Sequence, residues 1–165
     1  MDSLTEEKLW KILHRKASEA VKQNKIADAV VILDEIVASN PRDFLAFFKL
    51  AQIYFASRQY ERSEAMCQKA IMCSPNDIRP WLILGNIYIA TSNFDRIVSQ
   101  LPFALTIDPG NFQINYLIGY GMAKNGKFAE AKHYLQTALK AKPSNVQAIQ
   151  ALNIVNQALS RKSVI

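Results

Sequence analysis

The side chains best suited to chemistry in this sequence are two cysteines and two histidines, and their spacing assembles no site. Cys67 and Cys73 are six positions apart, on nearly opposite faces of a helix, and His14 and His133 lie near opposite ends of the chain. Zinc-type sites need several such ligands at short, characteristic spacings. No phosphate-binding or dinucleotide-binding glycine motif is present either. The sequence therefore predicts a protein that is not an enzyme and has no catalytic residues, no metal ligands and no cofactor.

The composition indicates a folded, helical domain. Half of the 165 residues are hydrophobic and 21% are charged, which is typical of a globular protein. Five glycines are few for the many turns of an all-β fold. The net charge of +6 is spread along the chain, so it favours acidic partners only weakly.

Targeting signals are not evident in the sequence. Residues 1–10 lack a basic region followed by an apolar run, and no apolar run approaches the length of about 18 residues that a membrane span needs. We therefore expect a cytoplasmic protein without a membrane span, whose two cysteines are reduced thiols.

Four prolines recur at a fixed spacing. These prolines, which recur at equal intervals along the sequence, are Pro41, Pro75, Pro109 and Pro143. Each stands in a similar four-residue segment, called a proline phrase below (NPRD, SPND, DPGN, KPSN). A fixed period of about 20–50 residues is typical of stacked repeats. The spacing predicts two-helix repeats at about 10–43, 44–77, 78–111 and 112–145, followed by one further helix at about 145–160.

The octapeptide WLILGNIY fits this frame. Trp81, Leu84, Gly85 and Tyr88 lie on one side of a helix because residues three and four apart are neighbours on its surface. With Ala104 and Pro109, this run resembles the tetratricopeptide repeat (TPR) family. The resemblance implies an all-α, right-handed superhelical solenoid of four helix-turn-helix repeats with a C-terminal capping helix, in one domain spanning 1–165.

Small residues recur at the centre of each first helix: Ala17, Ala51, Gly85 and Gly119. A glycine inside a helix costs about 1 kcal/mol relative to alanine, so Gly85 predicts a close approach between helices. Pro102 predicts a local kink in the second helix of repeat three, which Ile97 fills; the alternative is a bend that changes the curvature of the groove. Ser144, followed by Gln147, predicts a capping box at the last helix.

The resemblance also implies that the first helices line a concave groove that holds peptides. The groove positions that we predict to contact a ligand are Leu45, Phe48, Gln52, Phe55, Arg79, Leu82, Asn86, Ile89, Tyr116 and Tyr120. Aromatic residues would anchor the ligand, and Gln52 and Asn86 would bond to its backbone. The alternative is that some of these side chains pack against neighbouring repeats.

One well-known use of the family is not predicted. Co-chaperones of the heat-shock machinery hold a C-terminal carboxylate with lysine, asparagine and arginine side chains at set positions. Here the corresponding residues are His14, Ser18, Lys49, Arg79 and Ile83, of which only Arg79 matches well.

Three classes of function follow from the sequence. The first is a scaffold or adaptor that binds an apolar peptide of a protein partner, and the alternative is a secretion-type cargo chaperone. Nucleic-acid binding through a basic surface is a third, disfavoured class, because the predicted groove contains few basic residues. Leu9, Trp10 and Ile12 crowd one face of the first helix, where we expect residues 1–8 to cover them; the alternative is self-association through the N-terminal helix.

Overall fold

A computed structural model describes residues 3–162, and within that range no strand is present. The order of elements follows the predicted helix pairs, with one interruption by a 3₁₀ helix. The α-helices are α1 (Ser3–Lys22), α2 (Ile26–Ser39), α3 (Phe44–Ala56), α4 (Tyr60–Cys73), α5 (Arg79–Ala90), α6 (Phe94–Gln100), α7 (Phe112–Lys124), α8 (Phe128–Ala141) and α9 (Val146–Lys162), and the 3₁₀ helix is Leu101–Thr106. The all-α prediction is confirmed.

The chain divides into two compact units, Met1–Ile83 and Leu84–Ile165. In the first unit α1 packs on α2, α2 on α3 and α3 on α4. In the second unit α6 and α8 pack on α7, and α9 packs on α8. The boundary falls within α5. The prediction that 1–165 forms one domain therefore stays a prediction.

Three of the four proline phrases end in an aspartate or asparagine whose side chain caps the next helix. Asp43 Oδ1 accepts a hydrogen bond from Ala46 N at 2.8 Å, and Asn111 and Asn145 do the same for the amides three positions on. These side chains satisfy amides that the first turn of a helix leaves without partners. The capping residue of α9 is therefore Asn145, and the prediction of Ser144 was wrong by one position.

The turns inside the helix pairs also repeat. Asn24, Arg58, Ser92 and Gly126, which recur with the same period as the prolines, all have a positive φ between 54° and 73°. In each repeat this left-handed residue ends the first helix and lets the chain reverse into the second. Only the fourth repeat has glycine at this turn position. In the second repeat Arg58 therefore holds a left-handed conformation that residues with a Cβ disfavour.

The small residues at the helix centres are buried, as the sequence predicted. A Cβ added to Gly119 would lie 2.8 Å from Leu135 Cγ and 3.1 Å from the Leu135 backbone nitrogen. Gly119 therefore permits a close backbone approach between α7 and α8. At Gly85 the space is filled by side chains instead, because an added Cβ would meet Leu117 at 2.6 Å and Leu101 at 2.9 Å.

Pro102 changes the type of helix. α6 ends at Gln100, and residues 101–106 continue as a 3₁₀ helix whose buried side chains are Leu101 and Ala104. Ile97 is fully buried in α6, where the other repeats have Ala29, Ser63 and Ala131. Its bulk is accommodated by Gly121, where an added Cβ would meet Ile97 Cγ2 at 2.6 Å.

We predict that Arg58→Gly stabilises the protein by about 1 kcal/mol, because glycine adopts a positive φ without the Cβ penalty. Urea denaturation monitored by circular dichroism measures the change. The control is Glu35→Gly, within α2, which should destabilise by about 1 kcal/mol because glycine is a poor helix former. A loss of stability in Arg58→Gly would contradict the assignment of strain to this turn.

We predict that Gly119→Ala destabilises the protein by about 1–3 kcal/mol, because the added methyl group overpacks the contact with Leu135. Gly110→Ala is the control, since a Cβ there has only Asp108 Oδ1 nearby, at 3.8 Å. Thermal melts of the two variants provide the comparison. Equal melting temperatures would show that α7 and α8 can separate without cost.

Candidate functional site

In the first unit, the predicted ligand residue Phe48 lies beneath Arg79. Phe48 stacks on Phe44 with ring centroids 5.7 Å apart and an interplanar angle of 8°. The Arg79 guanidinium lies 5.0 Å from the Phe44 centroid and 4.9 Å from that of Phe48. Only 8% of Phe48 is exposed. The structure thus brings Phe48 and Arg79 together, and Arg79 limits the access of a ligand to the Phe48 ring.

Arg79 is held in this position by Asp77. The guanidinium donates to both carboxylate oxygens, with Nη2–Oδ2 at 2.6 Å and Nε–Oδ1 at 2.9 Å. The hydrogen bond from Arg79 lowers the pKa of Asp77, and the same bond raises the pKa of Arg79. The pair therefore stays charged at neutral pH, and the arginine is oriented toward the two rings.

The other predicted residues of the first unit differ in exposure. Leu45 and Gln52 are exposed, whereas Leu82 is half-buried. Phe55 is half-buried against Tyr60, with ring centroids 5.9 Å apart. Gln52 borders a cavity of about 630 Å³ between α1 and α3, which the sequence alone did not reveal. Its other lining residues include Ser18, Val21, Lys22, Lys49 and Ile53.

A polar network connects α1 and α3 beside this cavity. Lys49 Nζ donates to Ser18 Oγ at 2.7 Å and to the His14 carbonyl at 3.3 Å. His14 Nε2 lies 3.0 Å from Asp43 Oδ2. Burial lowers the pKa of Lys49, while the nearby Asp43 opposes that shift. Three residues at the carboxylate-clamp positions, His14, Ser18 and Lys49, are therefore bonded to one another in the first unit.

In the second unit, an aromatic ladder runs along α7. Phe112 and Tyr116 stack with centroids 6.1 Å apart, Tyr116 and Tyr120 are 6.2 Å apart, and Phe94 of α6 meets Tyr120 edge-on at 6.2 Å. All four rings are partly exposed. Burial and the neighbouring Tyr120 raise the pKa of Tyr116, so its hydroxyl stays neutral and available for hydrogen bonding at physiological pH.

Lysine ammonium groups cover the first and the last of the three ladder rings that lie on α7. Lys142 Nζ lies 4.9 Å from the Phe112 centroid, and Lys124 Nζ lies 5.3 Å from that of Tyr120. The sequence predicted Tyr116 and Tyr120 as ligand contacts, but it did not predict Phe94, Phe112 or either lysine. The repeat period could have indicated Phe112, because Phe112 and Tyr116 stand two full repeats after Phe44 and Phe48 and so occupy the same positions of the repeat.

Asn86 and Ile89 also belong to the second unit, and both are half-buried. Neither takes part in the contacts that define the aromatic ladder. Their predicted contact with a ligand stays a prediction.

Between residues 3 and 162, no group of three or more His, Cys, Asp or Glu side chains is placed to hold a metal ion.

Cys73 borders a second cavity in the first unit, of about 390 Å³, together with Val37, Phe47, Lys69 and Met72. No helix within the described range is long and apolar enough to cross a membrane.

Comparison with known proteins identifies the family. The tetratricopeptide repeat model matches residues 14–78 and 116–148, more than half of the chain, and the chain therefore belongs to the tetratricopeptide repeat family. The unmatched interval contains the 3₁₀ helix at Pro102. No curated protein matches the sequence.

Several solved structures share the fold at low sequence identity. The crystal structure of the MamA protein has a TM-score of 0.83 at 13% identity, covering 91% of this chain and 82% of that chain. YrrB, described as a TPR protein with an unusual peptide-binding site, has a TM-score of 0.78 at 14% identity, covering 90% and 76%. The first TPR of Spaghetti (RPAP3), bound to an HSP90 peptide, has a TM-score of 0.68 at 20% identity, covering 71% and 93%.

The two cysteines should differ in reactivity. Cys67 is fully buried, and this burial raises the pKa of its thiol to about 12. Cys73 is half-buried, and burial also raises the pKa of its thiol. Because the thiolate is the reactive form, iodoacetamide in mildly alkaline buffer should label Cys73 slowly, faster as pH rises, and leave Cys67 unlabelled. Mass spectrometry measures both sites.

The control for this labelling is Cys73→Ser, which should take up no label when folded and one label in urea. Rapid labelling of Cys67 in the folded protein would show that α4 opens far more readily than its packing implies.

Proposed function

We propose that this chain is a non-catalytic protein-interaction module, a scaffold or adaptor that binds an apolar peptide segment of a partner on the outward faces of its first helices. The observation that carries this proposal is the aromatic ladder of α7. Four partly exposed rings in continuous contact form an apolar surface of the kind that marks binding sites.

The chemistry of the ladder suits a peptide. Tyrosines combine a large apolar ring with a hydroxyl that bonds to a ligand backbone, and they lose little conformational entropy on binding. Tyr116 and Tyr120 are also held by their ring neighbours, so part of the ordering cost is already met before the ligand arrives. For a flexible peptide we expect a dissociation constant of about 1–100 μM.

The first unit would contribute in a different way. Its rings at Phe44 and Phe48 are covered by Arg79, so a ligand there would contact the guanidinium and the exposed Leu45 more than the Phe48 ring. Gln52 borders the cavity between α1 and α3, where its amide is available to a ligand backbone.

Relatives of the same fold support a peptide ligand. The RPAP3 structure holds an HSP90 peptide, and YrrB is described as having a peptide-binding site. TPR proteins as a class serve mainly as interaction modules, which supports a non-catalytic role for this chain. We favour a scaffold over a cargo chaperone because such chaperones are usually acidic, whereas this chain has a net charge of +6.

The proposal predicts that a random dodecapeptide library, selected on the immobilised full-length protein, will yield peptides whose binding depends on the ladder. Tyr116→Ala and Tyr120→Ala should each weaken a selected peptide by about tenfold, because each removes an aromatic anchor. Fluorescence anisotropy measures the affinity, and circular dichroism checks that helicity is unchanged.

The matched control is Phe103→Ala, which removes an aromatic ring that is 63% exposed on the 3₁₀ helix, away from the ladder contacts. It should leave affinity within about twofold of the parent, as surface residues outside a binding hot spot do. If the tyrosine variants bind as the parent does, the ladder is not the site.

A further inference from the structure

Charge is distributed unequally between the two units of the chain. From Leu84 to Ile165 the sequence carries eight basic residues and three acidic ones, whereas Met1–Ile83 carries twelve and eleven. Almost all of the net charge of +6 therefore belongs to the second unit. Its basic residues are Arg96, Lys124, Lys127, Lys132, Lys140, Lys142, Arg161 and Lys162.

Within residues 84–162, no acidic residue forms an ion pair with Lys124 or Lys142. Asp95 accepts a hydrogen bond from Asn125 Nδ2 at 2.9 Å. Asp108 accepts from the Gly110 amide and from Asn111 Nδ2. Glu130 lies in the first turn of α8. Among the residues that the structure describes, Lys124 and Lys142 form no ion pair with a carboxylate, so their charge is available to a ligand.

The two lysines stand at opposite ends of the ladder. Lys142 covers Phe112 at the start of α7, and Lys124 covers Tyr120 one turn from its end. Phe112 and Tyr120 are eight positions apart on one helix, which corresponds to about 12 Å of rise. An extended peptide covers about 12 Å with roughly four residues.

We propose that the partner of this site is a peptide segment with an apolar core of about four residues and an aspartate or glutamate on each side of that core. The inference rests on the proposed function and adds the chemistry of the ligand. The apolar core packs along Phe112, Tyr116 and Tyr120, while the flanking carboxylates meet Lys142 and Lys124.

The same lysines and rings resemble, in composition, a surface for single-stranded nucleic acid, which combines basic groups with stacking platforms. The geometry favours the peptide. Phe112 already stacks with Tyr116 at an interplanar angle of 9° and lies under Lys142, and Tyr120 lies under Lys124. A base stacks only on a free ring face, whereas the apolar side chains of a peptide can pack on the parts of these rings that stay exposed, which Phe48 lacks.

The test extends the library selection to the composition of the selected peptides. Ladder-dependent peptides, defined by loss of binding to Tyr120→Ala, should be enriched in Asp and Glu on both sides of an apolar core. Replacing those acids by Asn and Gln in one selected peptide should weaken its binding by about tenfold, and raising the salt concentration to about 300 mM should weaken the acidic version more than the amide version.

Two double variants that remove the same charge test whether the effect of charge on affinity comes from the lysines at the ladder. Lys124→Gln with Lys142→Gln should weaken the acidic peptide by about tenfold, because it removes both local partners. Lys132→Gln with Lys140→Gln, on α8, removes the same net charge and should change the affinity by less than about twofold, since neither lysine lies over a ladder ring and charges without a direct contact are screened by salt.

The outcomes separate the two proposals. Ladder-dependent peptides that are neutral or basic, or equal effects of the two double variants, would overturn the acidic partner and leave the peptide-binding function standing. Failure to select any ladder-dependent peptide would overturn both. Binding of a single-stranded DNA dodecamer that Tyr120→Ala abolishes, tighter than that of any selected peptide, would also overturn both.

Discussion

Each repeat depends on a residue with little or no side chain at the centre of its first helix. Where Gly119 faces Leu135, backbone and side-chain atoms of α8 lie too close to leave room for a Cβ. That proximity fixes the spacing of α7 and α8, and with it the position from which α7 presents its rings. At Gly85 the corresponding space is filled by Leu101 and Leu117. The same position of the repeat is therefore packed in two different ways, by α8 at Gly119 and by two leucine side chains at Gly85.

The repeat frame could be predicted from the sequence because the period is carried by local chemistry. The capping residues Asp43, Asn111 and Asn145 follow the prolines closely, and the buried small residues recur in register with them. Local signals of this kind depend on a few neighbouring residues and can be read without knowledge of the tertiary structure. The capping position at α9 was misassigned because two adjacent polar residues, Ser144 and Asn145, both suit a helix start.

The candidate site was less predictable, because exposure depends on side chains that are distant in sequence. Nothing near Phe48 indicates that Arg79, from another helix, covers it, and nothing near Phe112 indicates that Lys142 does the same. The helical period correctly placed Tyr116 and Tyr120 on one face. It could not show that Phe94, from the preceding α-helix, extends their ring contacts.

Ile97 and Gly121 have a consequence for how this protein can change over evolutionary time. Repeat arrays stack similar units, so the gain or loss of a whole unit requires that any unit fit beside any other. Here a large residue in repeat three occupies the space left by a missing side chain in repeat four. A copy of repeat four placed after a repeat with alanine at that position would contain a void, and a copy of repeat three placed before a repeat with isoleucine in place of Gly121 would clash. Repeats three and four therefore complement each other at this contact and are not freely interchangeable with the other repeats.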